Sequence, residues 1–138
     1  MPVNARIAES HAEISLWRRH LHQHPELLYD VEGTAAFVAE KLGDFGCDDV
    51  ATGIGRTGVV GVIHGSRPAA GGRGIALRAD MDALPIVEET GAAYASLTRG
   101  KMHACGHDGH TAMLLGAGKA LAATRDFAGS VVLVFQPA

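Results

Sequence analysis

The sequence lacks the features that mark membrane, secreted and nucleic-acid-binding proteins. No apolar run approaches the ~20 residues that a bilayer span requires, and residues 1–14 contain no apolar segment typical of a secretory leader. The 12 Lys and Arg residues are interspersed with 15 Asp and Glu residues, the net charge is -3, and the one local basic cluster is Arg18 with Arg19. We therefore expect no nucleic-acid or membrane partner, a cytoplasmic location and a small-molecule substrate.

Cysteine is also scarce. Cys47 and Cys105 are far apart, and two such residues make a poor disulfide framework. A chain of 138 residues with 47% hydrophobic residues is long enough to bury a core without one. We expect two free thiols in a single domain-sized unit without repeats.

Three stretches have the apolar pattern of helices. Ile7, Ile14, Trp17 and Leu21 recur near helical spacing, with Asn4 as a candidate cap and Pro25 as the stop. A second stripe follows Asp30 and ends at Gly46. A third helix, over 108–124, has little polar face and is expected to be buried on most sides.

Strands are predicted over 57–64, 74–78 and 131–135, and a long irregular connection over 81–102. The two earlier strands are joined by a turn-forming segment and could be antiparallel. The later order of strand, long connection, helix and buried strand is typical of an α/β layer. The fold class predicted is α/β, with a mixed, largely parallel sheet flanked by helices.

Residues 103–110 pack three His, one Cys and one Asp into eight positions. If the chain is extended about Gly106, a Cys105 thiolate and a His107 imidazole project to the same side and can bind one borderline-soft cation. Two ligands do not complete a tetrahedral site, so the others must come from elsewhere.

Two alternatives stay open for this segment. Cys105 can be a core thiol, with the histidines forming a polar helix entry that Asp108 caps. Alternatively, Cys105 is a nucleophile with His107 or His110 as its base, although a base two residues away in a tight turn seldom reaches the thiol.

Asp80 and Asp82 follow the predicted strand that begins at Gly74, and carboxylates at a strand end face the place where α/β sites form. Asp80 is a candidate to orient a metal-bound histidine, with Asp82 on the other side of an extended chain. The alternative is a loop of solvated aspartates.

Other titratable residues have a structural interpretation. His20, His22 and His24 point in different directions on a helix, which favours packing and helix termination over a metal face. His64, Glu88 and Glu89 are interpreted as solvated surface groups.

Together these segments resemble the hippurate hydrolase, or N-acyl-amino-acid amidohydrolase, group of the aminoacylase and carboxypeptidase metallopeptidases, which includes the plant auxin-conjugate hydrolases. The resemblance covers nearly the whole chain. It runs through residues 18–22, 24–27, 53–60, 78–86 and 102–110, of which the last two segments, Arg-Ala-Asp-Met-Asp-Ala-Leu-Pro-Ile and Met-His-Ala-Cys-Gly-His-Asp-Gly-His, are the most specific.

The resemblance implies a two-metal hydrolase in which Cys105 and His107 are metal ligands. It implies that Asp80 is either a carboxylate that accepts a hydrogen bond from a metal ligand or a carboxylate of the active site itself. It leaves zinc, manganese, cobalt and nickel open as the metal. It also implies that the strand over 131–135 leads into two glutamates, one the general base and one a ligand, which would lie beyond Ala138.

On this interpretation, residues 1–138 are the N-terminal part of the catalytic domain. The C-terminal half of that domain and a smaller domain used for homodimerisation are absent, so the chain alone is expected to be inactive. The alternative function is a non-catalytic remnant that at most binds metal weakly, and a thiol hydrolase that uses Cys105 is a third possibility.

Overall fold

Residues 5–69 and 71–138, which this computed structural model describes, form four helices and four strands. The helices are α1 (Ala5–Glu9), α2 (His11–Gln23), α3 (Glu32–Asp44) and α4 (His107–Thr124), and the strands are β1 (Asp49–Ile54), β2 (Gly58–His64), β3 (Gly74–Asp80) and β4 (Ser130–Gln136). The predicted cap Asn4 lies outside the described residues.

The helices agree with their sequence patterns apart from one break. The first predicted helix is divided at Ser10 into α1 and α2, and α2 ends at Gln23, before Pro25 can disrupt its hydrogen bonds. Helix α4 buries most of its length, as its apolar sequence predicts, although Met113 is exposed.

The sheet is mixed, with the strand order β1-β2-β4-β3. Strand β3 pairs with β4 in parallel, whereas the β1–β2 and β2–β4 pairings are antiparallel. The predicted α/β fold with a mixed sheet flanked by helices is confirmed, and parallel pairing among these four strands is confined to β3 and β4. Strands β2 and β3 run in opposite directions but are not neighbours, because β4 lies between them.

Strand β1 was not predicted. All its residues are exposed, and its sequence Asp-Val-Ala-Thr-Gly-Ile has no alternation of apolar and polar residues to reveal it. It forms through backbone pairing with β2, which only the tertiary structure provides.

The core lies between the sheet and the helices. On the covered face of the sheet, Ile63 pairs with Val131 and Val59 with Phe135, and all four side chains are buried. Gly118 of α4 packs against this face so closely that a Cβ atom there would lie 2.7 Å from Leu133 Cδ1. The absence of a side chain at Gly118 therefore lets α4 approach the sheet.

The parallel pairing brings the carboxyl ends of β3 and β4 to the same edge of the sheet. Asp80 pairs with Gln136, and the Met81 N–H donates to the Gln136 carbonyl at 2.9 Å. The irregular connection predicted over 81–102 starts at this edge and leads to α4.

No helix in the described part of the chain combines the length and the apolar character needed to cross a membrane. The expected cytoplasmic location stays a prediction.

Candidate metal centre

Three side chains converge where β3 ends and α4 begins. Asp80 is the last residue of β3, and His107 and His110 lie three positions apart in the first turn of α4, on one helix face. One potential ligand atom from each lies within 4.8 Å of those of the other two, and this is the one such group of three or more His, Cys, Asp or Glu side chains in residues 5–69 and 71–138. The group has the size of a site for one cation.

The His107 ring is held by Asp82. Its Nδ1–H lies 2.9 Å from Asp82 Oδ1 and 2.9 Å from the Asp82 carbonyl oxygen, so it donates to this residue. The other ring nitrogen, Nε2, lies 3.6 Å from Asp80 Oδ2, and the ring stacks on His110 with centroids 5.4 Å apart. A carboxylate on one imidazole nitrogen fixes the tautomer and leaves the lone pair of the other nitrogen free for a metal.

Asp80 has an oxygen suited to a cation. Its Oδ1 is buried and forms an ion pair with Arg78, whose Nη2 lies 2.7 Å away. The Thr111 hydroxyl donates to the Asp80 carbonyl at 3.0 Å and ties α4 to the end of β3. The other carboxylate oxygen, Oδ2, lies 3.6 Å from His107 Nε2, so the two atoms are placed to bind the same cation.

The donor set fits a divalent metal. One carboxylate and two imidazoles are oxygen and nitrogen ligands that zinc, manganese, cobalt and nickel all accept. The Asp80 oxygen beside His107 and the oriented His107 ring both agree with such an ion.

The structure gives a role to Asp82, for which the sequence predicted none. The hydrogen bond expected of Asp80 is made by Asp82, and Asp80 faces the free nitrogen of His107. Both carboxylates are partly buried, which does not agree with a loop of solvated aspartates. His110 was missed as a possible ligand, although its spacing of three from His107 in a predicted helix indicates a shared face.

Cys105 is not one of the three converging side chains. Gly106 adopts a left-handed conformation with φ +84°, so the prediction of an extended segment that aligns Cys105 with His107 is wrong. Both cysteines are free thiols, and Cys47 is half-buried. Cys105 is exposed, so the alternative that it is a core thiol is wrong. A ligand role for Cys105 stays a prediction.

A second polar cluster includes residues of α2, of α4 and of the irregular connection. We call its four members, Arg18, His22, Glu88 and Asp108, the buried network. Asp108 is 1% exposed, and its Oδ2 lies 2.7 Å from both Arg18 Nε and His22 Nδ1. His22 Nε2 in turn lies 3.2 Å from Glu88 Oε1. Asp108 does not cap α4, whose N-cap is Gly106, because its carboxylate is used in this network.

Glu88 is not the surface group that its sequence context predicts. Its side chain is 5% exposed and accepts hydrogen bonds from His22, the Thr90 hydroxyl and the Ser96 backbone N–H. Burial alone would raise the pKa of Glu88, but the hydrogen bonds from Ser96, Thr90 and His22 outweigh it and hold the pKa below its usual value. By contrast, His20 and His24 are exposed, and their rings lie 4.5 Å apart. Only His22 points away from the other two, so the prediction that all three histidines diverge is wrong for His20 and His24.

His103 is a buried neutral imidazole. It is 4% exposed and neither ring nitrogen has a hydrogen-bond partner among the described residues. Burial lowers the pKa of His103 to about 4, against an opposing attraction from Asp108.

A cleft of about 450 Å³ opens beside Asp80 and His110. Its other walls come from β3 and α4 and are mainly apolar, formed by Leu77, Arg78, Ala79, Met113, Leu114 and Ala117. The volume is within the range typical of small-molecule sites.

Comparison with known proteins agrees with this geometry. The sequence profile of peptidase family M20/M25/M40 matches residues 76–138, which contain all three converging side chains. The chain is 47% identical to an N-acyl-L-amino acid amidohydrolase of Geobacillus stearothermophilus over 96% of its own length and 35% of that protein. It is also 47% identical to a hippurate hydrolase of Campylobacter jejuni, over 96% of the chain and 33% of that protein.

A solved structure is also similar to this chain. A dinuclear metal-binding peptidase of family M20 from Bacillus subtilis superposes with a TM-score of 0.87 at 38% identity, over 95% of this chain and 36% of that one. The chain thus spans about a third of the length of the relatives it matches. In its matched motifs, its identity to these relatives and its superposition, the chain is similar to members of peptidase family M20/M25/M40.

Proposed function

We propose that this chain supplies part of the active site of a metal-dependent amidohydrolase that cleaves the amide bond of N-acyl amino acids, such as hippurate-like or N-acetyl substrates. The observation that carries the proposal is the convergence of Asp80, His107 and His110 with His107 oriented by Asp82. The relatives named as amidohydrolase and hippurate hydrolase support the substrate class.

Each residue of the site has a role that its geometry permits. Asp80 and His107 would hold a divalent ion, and the position of His110 allows it to contribute a third ligand. The resemblance adds Cys105 as a ligand, two positions before His107. The resemblance implies two divalent ions, which are zinc, manganese, cobalt or nickel. When bound, they would supply a water molecule of lowered pKa and would stabilise the oxyanion. Asp82 keeps His107 in the tautomer that can ligate.

The cleft beside Asp80 and His110 is the proposed entry for substrate. Its apolar walls suit an acyl group, and Arg78, whose guanidinium is partly exposed, is placed to attract a carboxylate. We propose that residues 1–138 form the N-terminal part of the catalytic domain, and that the general base and the dimerisation domain come from sequence that this chain does not contain.

A competing proposal is that the chain is a non-catalytic remnant that at most binds metal weakly. Purified chain is incubated with Zn²⁺, Mn²⁺, Co²⁺ or Ni²⁺, its metal content is measured, and hydrolysis of hippurate and N-acetyl amino acids is assayed. We expect metal binding without turnover by the chain alone, and turnover when the chain is joined to the remaining two thirds found in its relatives. A joined protein that binds metal but hydrolyses no N-acyl amino acid contradicts the proposed substrate class.

Chelation separates the metal proposal from the thiol alternative. A metal enzyme loses activity in EDTA and regains it on adding metal, whereas a cysteine enzyme keeps its activity in EDTA and loses it on alkylation. In the joined protein, the Cys105→Ser variant is expected to lower the metal content as well as the rate of hydrolysis. Unchanged metal content in this variant would remove Cys105 from the ligand set.

A further inference from the structure

The buried network connects three separate parts of the chain. Asp108 directly follows His107 in the first turn of α4, Arg18 and His22 lie one turn apart on α2, and Glu88 belongs to the irregular connection. His22 is central, because each of its ring nitrogens faces a carboxylate, Asp108 on one side and Glu88 on the other.

The contacts of Glu88 extend the network into the connection. The Glu88 carboxylate accepts the Ser96 N–H at 2.6 Å and the Thr90 hydroxyl, which closes residues 88–96 into a compact turn. The ring of Tyr94 in this turn packs edge-on against His22 at 5.6 Å, and the Leu97 N–H donates to the Gln23 carbonyl at 2.9 Å. These contacts attach the irregular connection to the C-terminal end of α2, near His22.

We propose that His22 is a positioning residue for the metal centre. It holds Asp108, and with it the first turn of α4, against the connection that carries Asp82, so that His107 and His110 face Asp80. This inference rests on the proposed metal site and goes beyond it, since the polar partners of His22 belong to the buried network and not to the three converging side chains.

The chemistry of the network favours this role over simple packing. Three ionisable side chains of the network, those of His22, Glu88 and Asp108, are at most 5% exposed. Burying such groups together is expensive, and apolar residues of similar volume are often as stable. Such networks are retained where they fix one arrangement of the chain. In this protein, the buried network would fix the position of the first turn of α4, which carries His107 and His110.

The test is a Co²⁺ titration of the purified 138-residue chain, wild type and variants, followed by visible absorption and by calorimetry. The His22→Gln variant is expected to bind Co²⁺ roughly tenfold more weakly, with a changed ligand-field spectrum, at temperatures well below its Tm. His11→Gln, an exposed histidine of the same helix, is the matched control and is expected to keep both affinity and spectrum.

Glu88→Gln provides a second variant if His22→Gln fails to fold. It is expected to weaken Co²⁺ binding in the same direction, and the double variant should bind no more weakly than His22→Gln alone, because both act through one network. Wild-type affinity and spectrum in His22→Gln, with only a lower Tm, would make its role structural and overturn the inference. A wild-type chain that binds Co²⁺ no better than His107→Gln would overturn the proposed function, and the inference with it.

Discussion

His107 and Asp82 are joined by two contacts of 2.9 Å, one from the ring Nδ1 to the carboxylate and one from the same nitrogen to the backbone carbonyl. The residues lie on different elements, one at the start of α4 and one in the connection after β3. Because Nδ1 is used, only Nε2 of His107 can bind a metal in this arrangement, and it faces Asp80.

The Asp82→Ala variant removes the carboxylate but leaves the backbone carbonyl of residue 82 as an acceptor. We expect metal to bind roughly tenfold more weakly, at the lower end of the range for outer partners of a ligand, because one of the two contacts survives. Competitive zinc titration measures this. Asp49→Ala, in an exposed position of β1, is the matched control, and equal affinity in the two variants would contradict the role of Asp82.

His110→Gln tests the ligand that the sequence did not reveal. Since one potential ligand atom of His110 lies within 4.8 Å of those of Asp80 and His107, removing His110 is expected, under the proposed function, to weaken Co²⁺ binding at least roughly tenfold and to alter the spectrum. His64→Gln is the control, because His64 is exposed at the end of β2 and contacts Ser130 instead. An unaltered spectrum in His110→Gln would leave this histidine outside the coordination sphere.

Gly129 and Gly43 are expected to respond in opposite directions to alanine. Gly129 has φ +86°, and a Cβ there would lie 2.1 Å from the Arg73 carbonyl oxygen, so Gly129→Ala should lower the free energy of unfolding by more than about 2 kcal/mol. Gly43 is a helical residue of α3, and a Cβ atom there would have nothing within 4 Å, so Gly43→Ala should raise the free energy of unfolding by about 0.5–1 kcal/mol. Urea unfolding measures both, and a destabilised Gly43→Ala would contradict the described packing of α3.

Asp48 is expected to make stability depend on acid pH. Hydrogen bonds from the His64 backbone N–H and from Arg125 lower the pKa of the Asp48 carboxyl below its usual value of 3.8. Because the folded-state pKa is the lower one, the stabilisation is present above pH 3.8 and is lost as the pH falls through the lowered pKa. Wild type should therefore exceed Asp48→Asn in stability near neutral pH, and the difference should be smaller at a pH below 3.8.

Urea unfolding at the two pH values is the measurement. Asp49→Asn, one position further along the chain and without these hydrogen bonds, provides the control. A difference between wild type and Asp48→Asn that is the same at both pH values would contradict the ion pair with Arg125.

The sequence was sufficient for elements whose pattern is local. The apolar spacing over 108–124 predicts α4, the continuous run Val131–Phe135 predicts β4, and both are present within a residue or two of their predicted bounds. The matched segments at 78–86 and 102–110 indicated the family, because motifs of this length and order rarely arise by chance. These features depend on neighbours in the chain, so the sequence contains them directly.

What depends on contacts between distant residues was decided only by the tertiary structure. Strand β4 lies between β2 and β3, Asp82 rather than Asp80 holds His107, and Glu88 is buried against His22, 66 positions away. The physical reason is that a side chain's burial and hydrogen-bond partner are fixed by which elements pack together, and the spacing of residues along one element does not specify its neighbours.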